Sequence, residues 1–293
     1  MNDLPDVQQT KPSIEIPIQQ VGVENVEVPF MLESFFGGFN DMVARVSMRT
    51  NLDSKTRGIS MSRLLLTLKP YLRKPLKHFL IQKILDDFRK NLGSFHSFIT
   101  FKFKLPMVRT SPISGNTFPI YYDCRFEGQL FTLRDERLMD PVPDEYLFRF
   151  FQGVRVQYAS YCPCSAGLCL QREPGGPEMW PHAQRSFADV LVEVIEPNYV
   201  WLEDIISIVE SAVRTLPYPI VKRTDEQEIA LIAGRNELFV EDAIRAISKS
   251  LDNNEKIFDW IVKCVHEESI HTSEAIAINW KGIRGGFDGT HFI

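Results

Sequence analysis

The segment Ile99-Thr100-Phe101-Lys102-Phe103-Lys104-Leu105 alternates apolar and polar side chains without a break. A period of two puts successive side chains on opposite faces of a strand, so this stretch predicts a β-strand with one apolar and one polar face. After a turn-rich link at 112–119, residues 118–130 supply its partner strand. Such a pair needs a cover on its apolar face, and helices are the usual one. The preceding residues provide it. Ile81, Ile84, Leu85, Phe88 and Leu92 recur at the spacing of one helical face within 61–92, and Pro70 and Pro75 divide that stretch into two helices. Before them, 21–32 and 41–52 are valine-rich and partly alternating, which predicts two more strands. The first half reads ββααββ.

The second half repeats that order. Val154, Val156 and Tyr158 alternate with Arg155 and Gln157, and Val190, Val192 and Val194 mark the next strand. Leu202, Ile205, Ile206, Val209, Val213 and Leu216 line one helix face, and Val240, Ala243, Ile244, Ile247 and Leu251 line another. Two strands, 257–266 and 275–280, close the half. The expected class is α+β, with duplicated antiparallel sheets carrying helices on one face. The boundaries are a proline-containing arm at 1–20, a first unit at 21–140, a second at 141–281, and a glycine-rich tail at 282–293.

Composition narrows the partners. Thirty-three basic and 38 acidic residues give a net charge of −5, so no bulk attraction to nucleic acid or an anionic membrane is expected. No apolar run approaches the roughly 18 residues of a membrane span. The opening Met1–Asp6 lacks the basic and apolar regions of a secretion signal. Together with five cysteines, an odd number, this predicts reduced thiols in the cytoplasm.

Four polar clusters fall in the second half: Tyr161-Cys162-Pro163-Cys164-Ser165, Pro181-His182-Ala183-Gln184-Arg185-Ser186, Lys222-Arg223-Thr224-Asp225-Glu226-Gln227 and His266-Glu267-Glu268-Ser269-Ile270-His271. They offer thiolate, imidazole and carboxylate, a mixture that suits a borderline divalent metal such as zinc, iron or manganese. Blander readings exist for each. The Cys-Pro-Cys turn also fits part of a structural zinc site with Cys169 and His182. Asp225 to Glu228 also fits a solvated helix start, where acids meet the positive end of the helix dipole. Cys124 and Cys264 sit in apolar strand patterns and read as inert core thiols.

These clusters, with Gly58-Ile59-Ser60-Met61-Ser62-Arg63, resemble the type IB GTP cyclohydrolases from about Gly22 to Trp280. The resemblance implies a tunnelling fold of two tandem ββααββ units, with barrels completed by oligomerisation into a homotetramer. It also implies hydrolysis of GTP to 7,8-dihydroneopterin triphosphate and formate, on the way to tetrahydrofolate, with a divalent metal (Mn²⁺, Zn²⁺ or Fe²⁺). By motif, Cys162, His182, Glu226 and His271 correspond to metal-site residues, and Cys162, Glu226 and His271 take catalytic roles. Cys164 competes with Cys162 for the site thiol. Glu241 matches the carboxylate that anchors guanine, and Arg63, Arg185, Lys222 and Arg223 are the cations for the triphosphate. Two departures stand out: Ser60 occupies a position where the family often has histidine, and Ala166-Gly167 with Cys169 follow the Cys-Pro-Cys-Ser turn where a basic residue is common. The competing readings are an archaeal-type cyclohydrolase giving a cyclic phosphate, a tunnelling-fold nitrile reductase, and a non-enzymatic module with a structural zinc turn.

Overall fold

A computed structural model describes residues 7–132, 146–172 and 181–289. Eight strands hydrogen-bond to one another in chain order. They are β1 (Ile18–Glu33), β2 (Phe39–Leu52), β3 (His96–Thr110), β4 (Thr117–Thr132), β5 (Tyr146–Tyr161), β6 (Ala183–Glu193), β7 (Asp259–Glu267) and β8 (Glu274–Trp280). The β1–β2, β2–β3, β6–β7 and β7–β8 pairs are antiparallel. The helices are α1 (Met61–Leu68), α2 (His78–Leu92), α3 (Pro163–Arg172), α4 (Leu202–Val213), α5 (Arg223–Gly234) and α6 (Val240–Asp252). The chain divides into two compact units, Met1–Phe103 with Arg125–Phe151 and Lys104–Cys124 with Gln152–Ile293. The boundary placed at 140/141 lies outside the described residues, as do 290–293 of the tail.

In the first unit, the alternation that predicted β3 is realised as burial: Ile99, Phe101 and Phe103 are inside while Thr100 and Lys102 are not. Ala44, Val46 and Met48 of β2 share that apolar layer. Gly37 and Gly38, both at positive φ, close the β1–β2 hairpin, a conformation that side chains with a Cβ resist. Pro70 and Pro75 act as expected. α1 stops at Leu68, a short 3-10 turn follows, and α2 begins at His78. Ile81, Ile84, Leu85 and Phe88 of α2 are buried, each contributing roughly 1.5–3 kcal/mol of apolar burial. Gly93 ends the helix in the left-handed conformation.

The second unit keeps the strand–helix–strand order and adds two helices within it. The cysteine turn opens α3, and the Lys222–Gln227 cluster opens α5. Hydrophobic periodicity does not separate α5, because few of its residues are buried; its hold on the fold is polar. Ile205, Ile206, Val209 and Val213 of α4, and Ala243, Ile244, Ile247 and Leu251 of α6, form the buried helix faces. Leu216, assigned to that first face, lies beyond the end of α4. An aspartate sits at the third position of α4, α5 and α6. Asp204, Asp225 and Asp242 each accept the N–H of the residue that precedes their helix, satisfying a donor the helix itself leaves unpaired. The glycine-rich end is anchored on buried Asp259, which accepts the N–H groups of Gly282 at 3.1 Å and Phe287 at 2.7 Å.

Candidate functional site

The four clusters lie at strand ends and helix starts of the second unit, where loops present side chains beyond the sheet. β5 ends at Tyr161, and Cys162 immediately precedes α3, with Pro163 in the first helical position. The Cys162 N–H donates to the His182 carbonyl at 3.3 Å. Ser165 strengthens that joint: its hydroxyl donates to the Cys162 carbonyl at 3.1 Å and accepts the His182 N–H at 3.3 Å. The Tyr161 carbonyl accepts the Leu238 N–H at 3.1 Å, which ties the link before α6 to the same strand end. Glu241 follows in the first turn of α6. Finally, His182 Nδ1 lies 3.0 Å from Ser269 Oγ, in the loop that carries His271.

Glu226 has a different support. It is exposed on the first turn of α5, while its neighbour Asp225 is fully buried. Asp225 accepts the N–H of Ile113 (2.9 Å), Ser114 (2.8 Å) and Lys222 (2.9 Å), so the β3–β4 hairpin grips the start of α5. Burial alone would raise the Asp225 carboxyl. The hydrogen bonds from Ser114, Lys222 and Ile113 outweigh it and hold the group well below the usual carboxylate range. Asp225 is thus no solvated helix start.

Beneath the loops, on the inward face of β5, β6 and β7, lies a polar cluster within an otherwise apolar layer. Ser160 Oγ donates to Gln184 Oε1 at 2.6 Å and lies 2.8 Å from Ser186 Oγ and 3.1 Å from His266 Nδ1. His266 Nε2 is 2.9 Å from the Tyr158 hydroxyl. All five residues are buried. Burial lowers the His266 pKa to about 4, against the opposing pull of Glu268 and Glu241. Cys264, beside Tyr158, has its thiol pushed up to about 12 by burial, and burial likewise raises Cys124. Sequence inspection assigned no role to Ser160 or His266, although both sit at inward positions of their strands.

Among the predicted site residues, the structure joins the segments of Cys162, His182, Glu241 and His271 through the bonds above. Glu226 is linked instead to the Ile113–Ser114 turn. Cys162 and His182 are half-buried, and Cys164, Arg185, Lys222, Arg223, Glu226, Glu241 and His271 are exposed. Cys162 and Cys164 are unpaired thiols. The Cys169 side chain, weighed as a zinc ligand, lies outside those described. Among the described residues of one chain, no three His, Cys, Asp or Glu side chains gather around a point suited to a metal ion. Arg63 belongs to the first unit, where it lines a polar cavity of about 210 Å³ with Ser60, Asn51, Asp53 and Thr56. Ser60 is the residue preceding α1 and makes no side-chain capping bond there.

Sequence comparison identifies the family. The family model described as type I GTP cyclohydrolase folE2 matches residues 4–277. The chain belongs to this family. It is 32% identical over 286 residues to the GTP cyclohydrolase FolE2 of Cereibacter sphaeroides, covering 95% of this chain and 76% of that one. The corresponding protein of Paracoccus denitrificans is 31% identical over 284 residues (95% and 84% covered), and that of Geobacter metallireducens 28% over 277 (94% and 97%). Among solved structures, a hyperthermostable mutant of Bacillus sp. TB-90 urate oxidase superimposes with a TM-score of 0.52 at 10% identity, covering 90% of this chain and 98% of that one. A hyper-thermostable AgUricase mutant gives 0.53 at 7% identity, covering 93% and 94%. At such identities the likeness concerns the fold alone, and the fold it shows is the tunnelling fold. No helix among the described residues is long and apolar enough to cross a membrane.

Proposed function

We propose that this protein is a metal-dependent GTP cyclohydrolase of type IB, converting GTP and water to 7,8-dihydroneopterin triphosphate and formate. In this reading it works in the cytoplasm as a homotetramer; its odd number of cysteines supports the first, and the family resemblance, which implies barrels completed by other copies, supports the second. The single observation that carries this reading is the family match over 4–277, which spans every motif of the candidate site.

It is the chemical type of the donors, not a cluster already gathered among the described residues of one chain, that suits a divalent cation. Cys162 and His182 are joined through their backbones, and Ser269 occupies Nδ1 of His182, so that Nε2 is the ring atom left to face an ion. Thiolate, imidazole and carboxylate together suit zinc, iron or manganese. In this reading Cys162, His182, Glu226 and His271 hold the cation, and the thiol is Cys162 in preference to Cys164 because its backbone is the one bonded to His182. When bound, such an ion lowers the pKa of water from 15.7 toward about 7, which makes attack on a purine carbon accessible at neutral pH.

The chain's own residues supply the rest. His271, exposed in the loop after β7, moves a proton between the attacking water and the opening imidazole ring of guanine, a role that imidazole chemistry suits. Glu241, at the start of α6, accepts N1–H and N2–H of guanine together, which both orients the base and selects it over adenine. Lys222 and Arg223, exposed at the start of α5, Arg185 on β6, and Arg63 offer positive charge to the triphosphate.

The decisive experiment incubates the purified protein with GTP before and after chelation, then with Mn²⁺ or Zn²⁺ restored. Pterin fluorescence that disappears with chelator and returns with metal is expected, with a product mass matching the open triphosphate. A cyclic phosphate product, or NADPH consumption that ignores the chelator, would replace this reading with one of its rivals. His182→Ala that binds metal normally would remove the ligand assignment.

A further inference from the structure

With the Gln184 amide oxygen facing Ser160, the polar cluster beneath the site has one internally consistent arrangement of its protons. Gln184 Oε1 is an acceptor only, so the single hydroxyl proton of Ser160 goes to it. Ser160 Oγ is then left to accept, and its two other partners, Ser186 Oγ and His266 Nδ1, must donate. A neutral imidazole that donates through Nδ1 has Nε2 free to accept, and the Tyr158 hydroxyl donates to it. The chain of bonds therefore runs from Tyr158 through His266 and Ser160 to Gln184.

Its position in the strands gives it a consequence for the site. Ser160 lies two residues before Cys162, Gln184 two residues after His182, and His266 two residues before Glu268. Ser186 and His266 are direct cross-strand partners between β6 and β7. In an extended chain, positions two apart lie on the same face. The cluster is thus the last internal layer under the loops that carry the site. A layer of aliphatic side chains would bury as well, yet it would not favour one register of three strand ends so sharply. Hydrogen-bond geometry is directional and apolar contact is not.

We infer that His266 and Ser160 are positioning residues for the cyclohydrolase site: the directed hydrogen-bond chain Tyr158–His266–Ser160–Gln184 holds the ends of β5, β6 and β7 so that Cys162 and His182 stand in working geometry. This inference rests on the proposed function for its catalytic meaning. Neither residue touches substrate. Both act through the backbone that leads to the site, so their loss changes the chemical step more than the recognition of guanine, which belongs to Glu241 on α6.

Two measurements test it. The first uses the unaltered protein: ¹⁵N–¹H spectra of the histidine rings at pH 7, with His266 assigned by its absence in His266→Asn. His266 is expected as a neutral ring protonated on Nδ1. A ring protonated on Nε2, or on both nitrogens, overturns the directed chain. The second compares His266→Phe, which keeps the volume without either bond, with His266→Asn, whose amide nitrogen replaces the Nδ1 donor. For His266→Phe, kcat is expected to fall roughly tenfold to a hundredfold, with KM for GTP changed less than about threefold. His266→Asn is expected to recover most of the loss. A folded His266→Phe with unchanged kcat, or an Asn variant no better than Phe, overturns the positioning role. Should the unaltered protein fail to consume GTP, the function reading falls, while the ring spectra still decide the hydrogen-bond chain.

Discussion

Asp225 accepts the backbone N–H of Ser114 at 2.8 Å, joining the first residue before Glu226 to a hairpin more than a hundred positions earlier in the chain. The same carboxylate oxygen takes the Ile113 N–H, and its second oxygen takes that of Lys222. Ser111 adds a bond from its hydroxyl to the Ile220 carbonyl at 2.5 Å. α5 has few buried apolar residues, so these bonds are its principal anchor at the end where Glu226 sits.

Asp225→Ala is therefore expected to lower the thermal midpoint and to reduce metal affinity through displaced Glu226. Ser114→Pro, which removes one donor and leaves the carboxylate, should act in the same direction and more weakly. Calorimetry and competition with a metal-binding dye measure the two effects separately. The carboxyl is depressed in the folded chain, so its contribution is present above the unfolded pKa of about 3.9 and lost as pH falls below it. Asp225→Ala should consequently flatten the acid end of the stability profile.

His266 titrates in a different window. Its ring is neutral in the folded protein down to about pH 4, whereas an unfolded histidine protonates near 6.5. Between those values the unfolded chain binds more protons, so stability is full above about pH 6.5 and falls as the pH drops toward 4. The loss is on the order of 3 kcal/mol, since one pKa unit corresponds to about 1.4 kcal/mol. Tyr158, Cys264, Glu241 and Glu268 are the titratable groups around it, and burial raises the first two further from this window. Denaturant midpoints across pH 4–7 for the natural protein and His266→Phe will show the slope in the first and its loss in the second.

Glu210 on α4 pairs with Arg109, and the Tyr122 hydroxyl bonds to the same carboxylate. Both charged side chains are largely buried, with 13% and 15% of their surface exposed. Removing the acid alone leaves a buried cation, so Glu210→Leu should cost about 3 kcal/mol or more. The double variant Arg109→Met with Glu210→Leu should recover much of it. Equilibrium unfolding of the two variants checks the difference; equal losses would contradict the pairing argument.

Glu241 is exposed in the first turn of α6, and the bond between Leu238 and Tyr161 precedes it. Glu241→Ala is expected to weaken GTP binding by one to two orders of magnitude, about 1.4 kcal/mol for each factor of ten, with metal content unchanged. Equilibrium dialysis with GTP in the presence of chelator-free metal gives the first number and elemental analysis the second. Unaltered GTP affinity removes the anchoring role.

Much of this was legible in the residues alone. The alternation of Ile99 to Leu105 and the helical spacing of Ile81, Ile84, Leu85 and Phe88 report burial directly, because each period matches one backbone geometry. The motifs around Cys162, His182 and Glu226 placed the chain in its family. Ser160, Gln184, Ser186 and His266 carried a readable signal too: each is polar at a position where the strand's own alternation points inward. That signal says a partner is required and does not say which.

The one-dimensional pattern determined the order of the strands and of the helices with buried apolar faces, though not α3 and α5, and the chemical types available at each loop, since local periodicity and residue chemistry are properties of neighbours along the chain. Only the tertiary structure decided that Asp225 belongs to the hairpin at 113–114, that His182 meets Ser269, and that four polar side chains from three strands share their protons in one direction. Those are contacts between positions far apart in the chain, and a hydrogen bond between them depends on distances of about 3 Å and on angles that no local pattern encodes.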